Sequence, residues 1–169
     1  PAEPVHAHHN RITLTADSLR DGWAGLYQCH THMDAVPDAQ VVFRPGRIRG
    51  LEVASTVAIG QAWVDGHTVQ LKSVEHGAEL CLRAESRVVT TADGGLFVRN
   101  GPFMRSFLDG YYPMHVTLEI ILPPGDWQLF GSRPASQPGF EVQYTAGRVT
   151  ADAWFSGELR TEFHFLPAR

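Results

Sequence analysis

Apolar residues recur at every second position along much of this chain. Val149, Ala151, Ala153 and Phe155 alternate with Arg148, Thr150, Asp152 and Trp154, and Leu159, Thr161, Phe163 and Phe165 alternate with Arg160, Glu162 and His164. A period of two sends successive side chains to opposite faces of a strand, one buried and one wet. Strand-like patterning also covers residues 11–15, 25–32, 40–43, 51–59, 61–64, 68–72, 80–89, 96–99, 114–122, 127–130 and 140–144. Turn chemistry separates these stretches. Asp65-Gly66, between Ala62-Trp63-Val64 and Thr68-Val69-Gln70-Leu71, is the strongest hairpin signal, and Asp93-Gly94, Pro124-Gly125 and Ser156-Gly157 mark three more.

The pattern predicts one helix, over residues 102–109. Pro102 suits a first helical position and Gly110 a C-terminal cap, while Phe103/Phe107 and Met104/Leu108 pair at i,i+4. At about two turns, such a helix needs a sheet to pack on. The predicted fold class is therefore all-β, a single-domain antiparallel β-sandwich with a barrel as the alternative and one short helix near 102–109. Residues 1–10, polar and proline-flanked, read as a flexible N-terminal tail, and 11–169 as the single β domain. The 16 glycines and 11 prolines, dispersed without a linker-like block, agree with a turn-rich β protein.

Charge narrows the function classes. A net charge of -4 with a pI near 6.1 lacks the basic footprint that nucleic-acid binding requires. The one basic cluster, Arg44, Arg47 and Arg49, is broken by Pro45, Gly46 and Gly50 and reads as a solvated loop. No run of eighteen apolar residues predicts a membrane span. The chain opens at Pro1, which suggests a mature form with its signal peptide removed, so a periplasmic or extracellular location is expected. Its two cysteines, Cys29 and Cys81, suit one disulfide in such a compartment, with two free thiols as the alternative.

The densest chemistry is the run Cys29-His30-Thr31-His32-Met33-Asp34. Strand parity would put His30, His32 and Asp34 on one face and Cys29, Thr31 and Met33 on the other. Leu80, Leu82, Ala84 and Val88 form the apolar face of a later strand, which leaves Cys81 on the wet face with Glu79, Arg83 and Glu85. A Cys29–Cys81 bridge then turns His30 and His32 inward. The candidate metal set is His30, His32 and Asp34, with His115 as a further ligand and Met104 and Met114 as thioether donors, although parity assigns Met114 to the core. Imidazole suits copper or zinc, and a thioether tilts the choice toward copper. Hydrogen bonding of the two histidines to each other and to backbone is the alternative. The N-terminal His6-x-His8-His9 belongs to the expected tail, from which it could fold over His30 and His32 as a third ligand arm.

Residues 100–113 concentrate glycine, proline and aromatics, making Met104, Tyr111, Tyr112 and Met114 the candidate pocket wall. Hydrolase elbows, phosphate loops and zinc-protease motifs are missing. The reading is an exported, non-enzymatic binding or accessory protein holding a transition metal, copper before zinc, through His30 and His32, with a metal ion or a protein as partner. One alternative is a metal-free interaction module for a protein, glycan or apolar ligand. A weaker one is a small zinc hydrolase with Glu119 or Asp109 as base.

Overall fold

A computed structural model describes residues 4–107 and 110–168, without the side chain of Phe107. Among the described residues the elements run β1 (Ala7–Thr13), α1 (Ser18–Asp21), β2 (Trp23–Met33), β3 (Val36–Val42), β4 (Ile48–Asp65), β5 (Thr68–Arg87), β6 (Val89–Ala92) and β7 (Gly95–Phe103). They continue as β8 (Ser106–Phe107), β9 (Gly110–Tyr111), β10 (Pro113–Ile121), β11 (Trp127–Arg133), β12 (Phe140–Thr145), β13 (Arg148–Ser156) and β14 (Leu159–Pro167).

Eight strands form the larger sheet in the order β12-β13-β10-β1-β2-β5-β3, with β4 also pairing β5; four form the second, β11-β14-β7-β6. The predicted all-β sandwich is the architecture found, and the sheets do not close into a barrel. Pairing is antiparallel except between β1 and β10.

The period-two alternation explains the main core. Ile12, Leu118, Ile120, Val149 and Ala151 of the large sheet meet Leu96, Val98, Phe163 and Phe165 of the small one, all nearly inaccessible. A second cluster, including Val69, Leu71, Leu80 and Leu82, lies along the long β4–β5 hairpin. The predicted Asp65-Gly66 turn closes that hairpin, Asp65 opposite Thr68 and Gly66 at φ 61. Cys29 stands directly opposite Cys81 on β5, with a Cα–Cα distance of 4.1 Å, and the two are disulfide-bonded.

Two expectations are corrected. Residues 102–107 are not helical: β7 runs through Phe103, and Ser106–Phe107 pairs with Gly110–Tyr111, while Leu108 and Asp109 lie outside the described residues. Gly101 at φ 109 cannot lead into a helix, and Phe103 is drawn into the core opposite Leu159. Cross-strand burial thus outweighs the weak i,i+4 pairs of a two-turn helix. Nor are residues 7–10 a tail. They form most of β1, held between β2 and β10, with His8 and Asn10 buried.

Candidate functional site

In the β1/β2 ladder His8 faces His30, Asn10 faces Gln28 and Ile12 faces Leu26. Parity turns all six side chains toward the second sheet. An apolar inner face therefore gives way, over four positions, to polar side chains that are at most 7% exposed. Burial on this scale obliges such groups to find partners.

Most of them do, in a directional chain. Gln28 Nε2 donates to Asn10 Oδ1 at 2.9 Å, leaving Gln28 Oε1 to accept from His30 Nε2, also at 2.9 Å. A neutral His30 with its proton on Nε2 must accept at Nδ1, and His6 Nε2, 3.0 Å away, becomes the donor. The network thereby selects one tautomer of each ring. Burial is the first cause holding these rings neutral. It lowers His6 to about 4, with Arg105 and His32 adding to the effect, and lowers His8 to about 3, assisted by His6 and opposed by the nearby Gln28 side chain. His30 lies well below the ordinary histidine range for the same reason, with His8 and His6 contributing.

His8 stands apart from the chain. Its ring stacks on His30 at 4.2 Å between centroids and meets the edge of Phe103 at 5.4 Å, yet neither ring nitrogen has a hydrogen-bond partner. Asn10 Nδ2 and, from the opposite sheet, Thr161 Oγ1 are also buried and unpartnered. All three residues line one open cavity of about 1090 Å³ between the sheets. Its walls include Leu26, Val41, Phe43, Leu71 and Phe103 together with Met33, Met104 and Met114, the chain's three methionines. Its cations are Arg44, Arg47, Arg87, Arg99, Arg105, Arg133 and Arg160, and its carboxylates Asp34 and Glu162.

The proposed His30/His32/Asp34/His115 set does not assemble. At His32 the backbone takes φ 55 and the β2/β5 register shifts between His30 and Met33, so the extra residue reverses the parity. His32 is exposed, and Met33 takes the buried side with His30. Asp34 lines the cavity but is ion-paired with Arg105. His115 is on the outer face, stacked at 3.8 Å on Trp154 and bonded to Asp152. Glu119, the hydrolase candidate, lies between Arg11 and Arg148. Among the described residues no group of three or more His, Cys, Asp or Glu side chains is arranged to hold a metal ion. Of the expected pocket wall, Met104 and Met114 line the cavity, whereas Tyr111 and Tyr112 do not.

His6 and His8, expected on a tail that could fold over His30 and His32, do meet His30, but at the start of a paired strand, whereas Asn10 and Gln28 were not expected at the site. The signal was present as alternation in His6-x-His8-x-Asn10, the same period that marks the apolar strands.

No protein-family model matches this chain, and no curated protein matches it. Two solved structures of an M1 zinc metallopeptidase from Deinococcus radiodurans, one a mutant bound to a Tyr-Ser-Ala substrate, are similar at 10% and 11% identity with a TM-score of 0.49. The similarity covers 96% of this chain and 42% of theirs, so the chain spans less than half the length of those proteins. Likeness at that level carries no argument about fold or activity.

Proposed function

We propose that this is an exported, non-enzymatic binding protein whose ligand enters the cavity between its two sheets. One observation carries the reading. Of the five buried polar side-chain atoms without a partner among the described residues, four belong to residues that line this cavity: both ring nitrogens of His8, Asn10 Nδ2 and Thr161 Oγ1. Each such group costs about 1–3 kcal/mol when left unbonded. Their concentration on one apolar-walled cavity, from both sheets, suits a ligand that supplies the missing bonds.

Binding is favoured over catalysis because His6 and His8, at about 4 and about 3, lie too far from neutrality for efficient general acid–base work there. Export is supported by the Cys29–Cys81 disulfide. The test is titration with the uncharged fluorophore N-phenyl-1-naphthylamine, together with native mass spectrometry of the purified protein. Saturable one-to-one binding is expected. No saturable binding and no co-purifying small molecule would sink the proposal.

A second reading keeps the metal, copper before zinc, and moves it from the His30/His32 pair to His30 and His6. Their facing nitrogens are 3.0 Å apart. A tetrahedral ion with metal–nitrogen bonds of about 2.0–2.1 Å needs roughly 3.3–3.4 Å, so a small opening would admit one. The three methionines in the same cavity favour a soft ion, whereas the surplus of arginines opposes any cation. Metal analysis should show loss in His6→Ala and His30→Ala and retention in His32→Ala; equal metal in all three would refute this site.

A further inference from the structure

The cavity's charge is opposite to that of the whole chain. Seven of the 14 Lys and Arg side chains line it, but only two of the 18 Asp and Glu side chains do, although the protein carries a net charge of -4. Three of the seven arginines are matched: Arg105 with Asp34, Arg99 with Glu162 and Arg160 with Glu158. Among the described residues Arg44, Arg47, Arg87 and Arg133 form no ion pair. They come from both sides of the cavity. Arg44 and Arg47 sit on the turn after β3, Arg87 ends β5 in the large sheet, and Arg133 ends β11 in the small one.

Between these cations the walls are apolar, with Leu26, Val41, Phe43, Leu71, Phe103 and Met114 among them. Lys and Arg are ordinarily interspersed with acids over a soluble surface, so clustering around one concave site marks the sign of what enters. Apolar walls with a few polar groups specify the rest of the ligand. A metal ion could use the methionines, but the surplus of arginines opposes it. A nucleic acid would need the basic residues on a convex or grooved exterior rather than around an apolar interior.

We propose that the cavity binds a single-chain amphiphile with an anionic head, the head among the unpaired arginines and the chain along the apolar walls. The orphan atoms of His8, Asn10 and Thr161 then meet polar atoms at or near the head, such as a carboxylate oxygen, an ester carbonyl or a hydroxyl. This inference rests on the cavity being the ligand site, and it adds the class of ligand. A free fatty acid and an anionic lysolipid share the required chemistry.

The experiment displaces N-phenyl-1-naphthylamine from the intact protein with dodecanoate, lysophosphatidylglycerol, dodecanol and lysophosphatidylcholine. The proposal expects at least one anionic probe to bind about tenfold or more tighter than its uncharged or zwitterionic counterpart. Which of the two anions wins identifies the source, a free acid or a lipid. Affinity should also rise about three- to fourfold per added methylene until the cavity fills.

The triple variant Arg44→Gln/Arg87→Gln/Arg133→Gln alters exposed side chains only. It should abolish the anion preference and leave the binding of dodecanol unchanged, while Arg148→Gln, at a residue that does not line the cavity, keeps the preference. If the wild type binds neutral and anionic probes alike, or the triple variant keeps the preference, the amphiphile inference is overturned and the cavity reading stands. Failure of the fluorophore itself to bind would remove both.

Discussion

His30 shows how much chemistry one buried side chain can dictate. Because Gln28 donates to Asn10, His30 must donate to Gln28 and accept from His6, and protonating His30 at Nδ1 would set a second donor against His6 Nε2–H. The consequence is a pH dependence whose sign follows from linkage. In the unfolded chain these histidines titrate near the ordinary value of 6.5, whereas in the fold His6 and His8 are lowered to about 4 and about 3. Below pH 6.5 the unfolded state binds more protons, so stability is complete above that pH and falls as pH drops toward 4. The expected slope is about 1.4 kcal/mol per pH unit for each histidine involved. Urea unfolding at pH 7.5, 6.0 and 5.0 measures it, and His8→Leu should reduce the slope by one proton. A flat profile from 7.5 to 5.0 would contradict the buried neutral network. Thr161→Val makes a complementary prediction, since it removes an unpartnered hydroxyl at nearly constant volume. The variant should be as stable as the wild type or up to about 1 kcal/mol more stable, while its ligand binding weakens. These roles were only partly legible in the sequence. His30's inward direction followed from the parity of Cys29 and Cys81, but residues such as His8 and Asn10 hide a strand, because polar side chains on an inner face erase the apolar half of the alternation.

At the level of elements, parity held wherever the ladder was regular and failed where a single residue was added. The pairing of Asp65-Gly66, the opposition of Cys29 and Cys81, and the alternation of β13 and β14 all depend on uninterrupted period two. The bulge at His32 has no such signature, and one extra residue there exchanged His32 for Met33 on the buried side. The segment after Gly101 failed differently. Its proline, aromatics and glycine suit a short helix locally, and only long-range contact with β14 decides for a strand. Gly101 allows a direct check on that contact. A Cβ there would lie 2.7 Å from the Leu159 carbonyl oxygen and 3.1 Å from Arg160 Cα, at a φ of 109. Both neighbours are backbone and cannot swing aside. Gly101→Ala is therefore expected to lose about 2–4 kcal/mol. Gly46→Ala, also at positive φ but with nothing within 4 Å, should lose only about 1–2 kcal/mol. Parallel urea titrations separate the two, and equal losses would show that the backbone conformation, not the contact with β14, sets the cost.

Over the whole molecule, two cores share one continuous sheet. The first lies between the sheets, the second along the β4–β5 hairpin, and β2 and β5 pass beside both. The Cys29–Cys81 bridge joins those two strands across 52 residues, a span that includes β3, β4 and most of β5. In the folded state the bridge adds little, because β2 and β5 are already paired on either side of it. Its effect lies in the unfolded chain, where it confines the whole hairpin. For a loop of that length the entropy model gives about 4 kcal/mol, less whatever structure the reduced unfolded chain retains. The Cys29→Ser/Cys81→Ser variant should accordingly lose roughly 2–4 kcal/mol in urea unfolding, with a steeper dependence on urea because its unfolded state is more open. Its folded state should still bind N-phenyl-1-naphthylamine with unchanged affinity, since both sulfurs sit on the face opposite the cavity. Loss of probe binding by variant that remains folded would instead mean that the bridge positions β2, and with it His30 and Gln28, for the ligand.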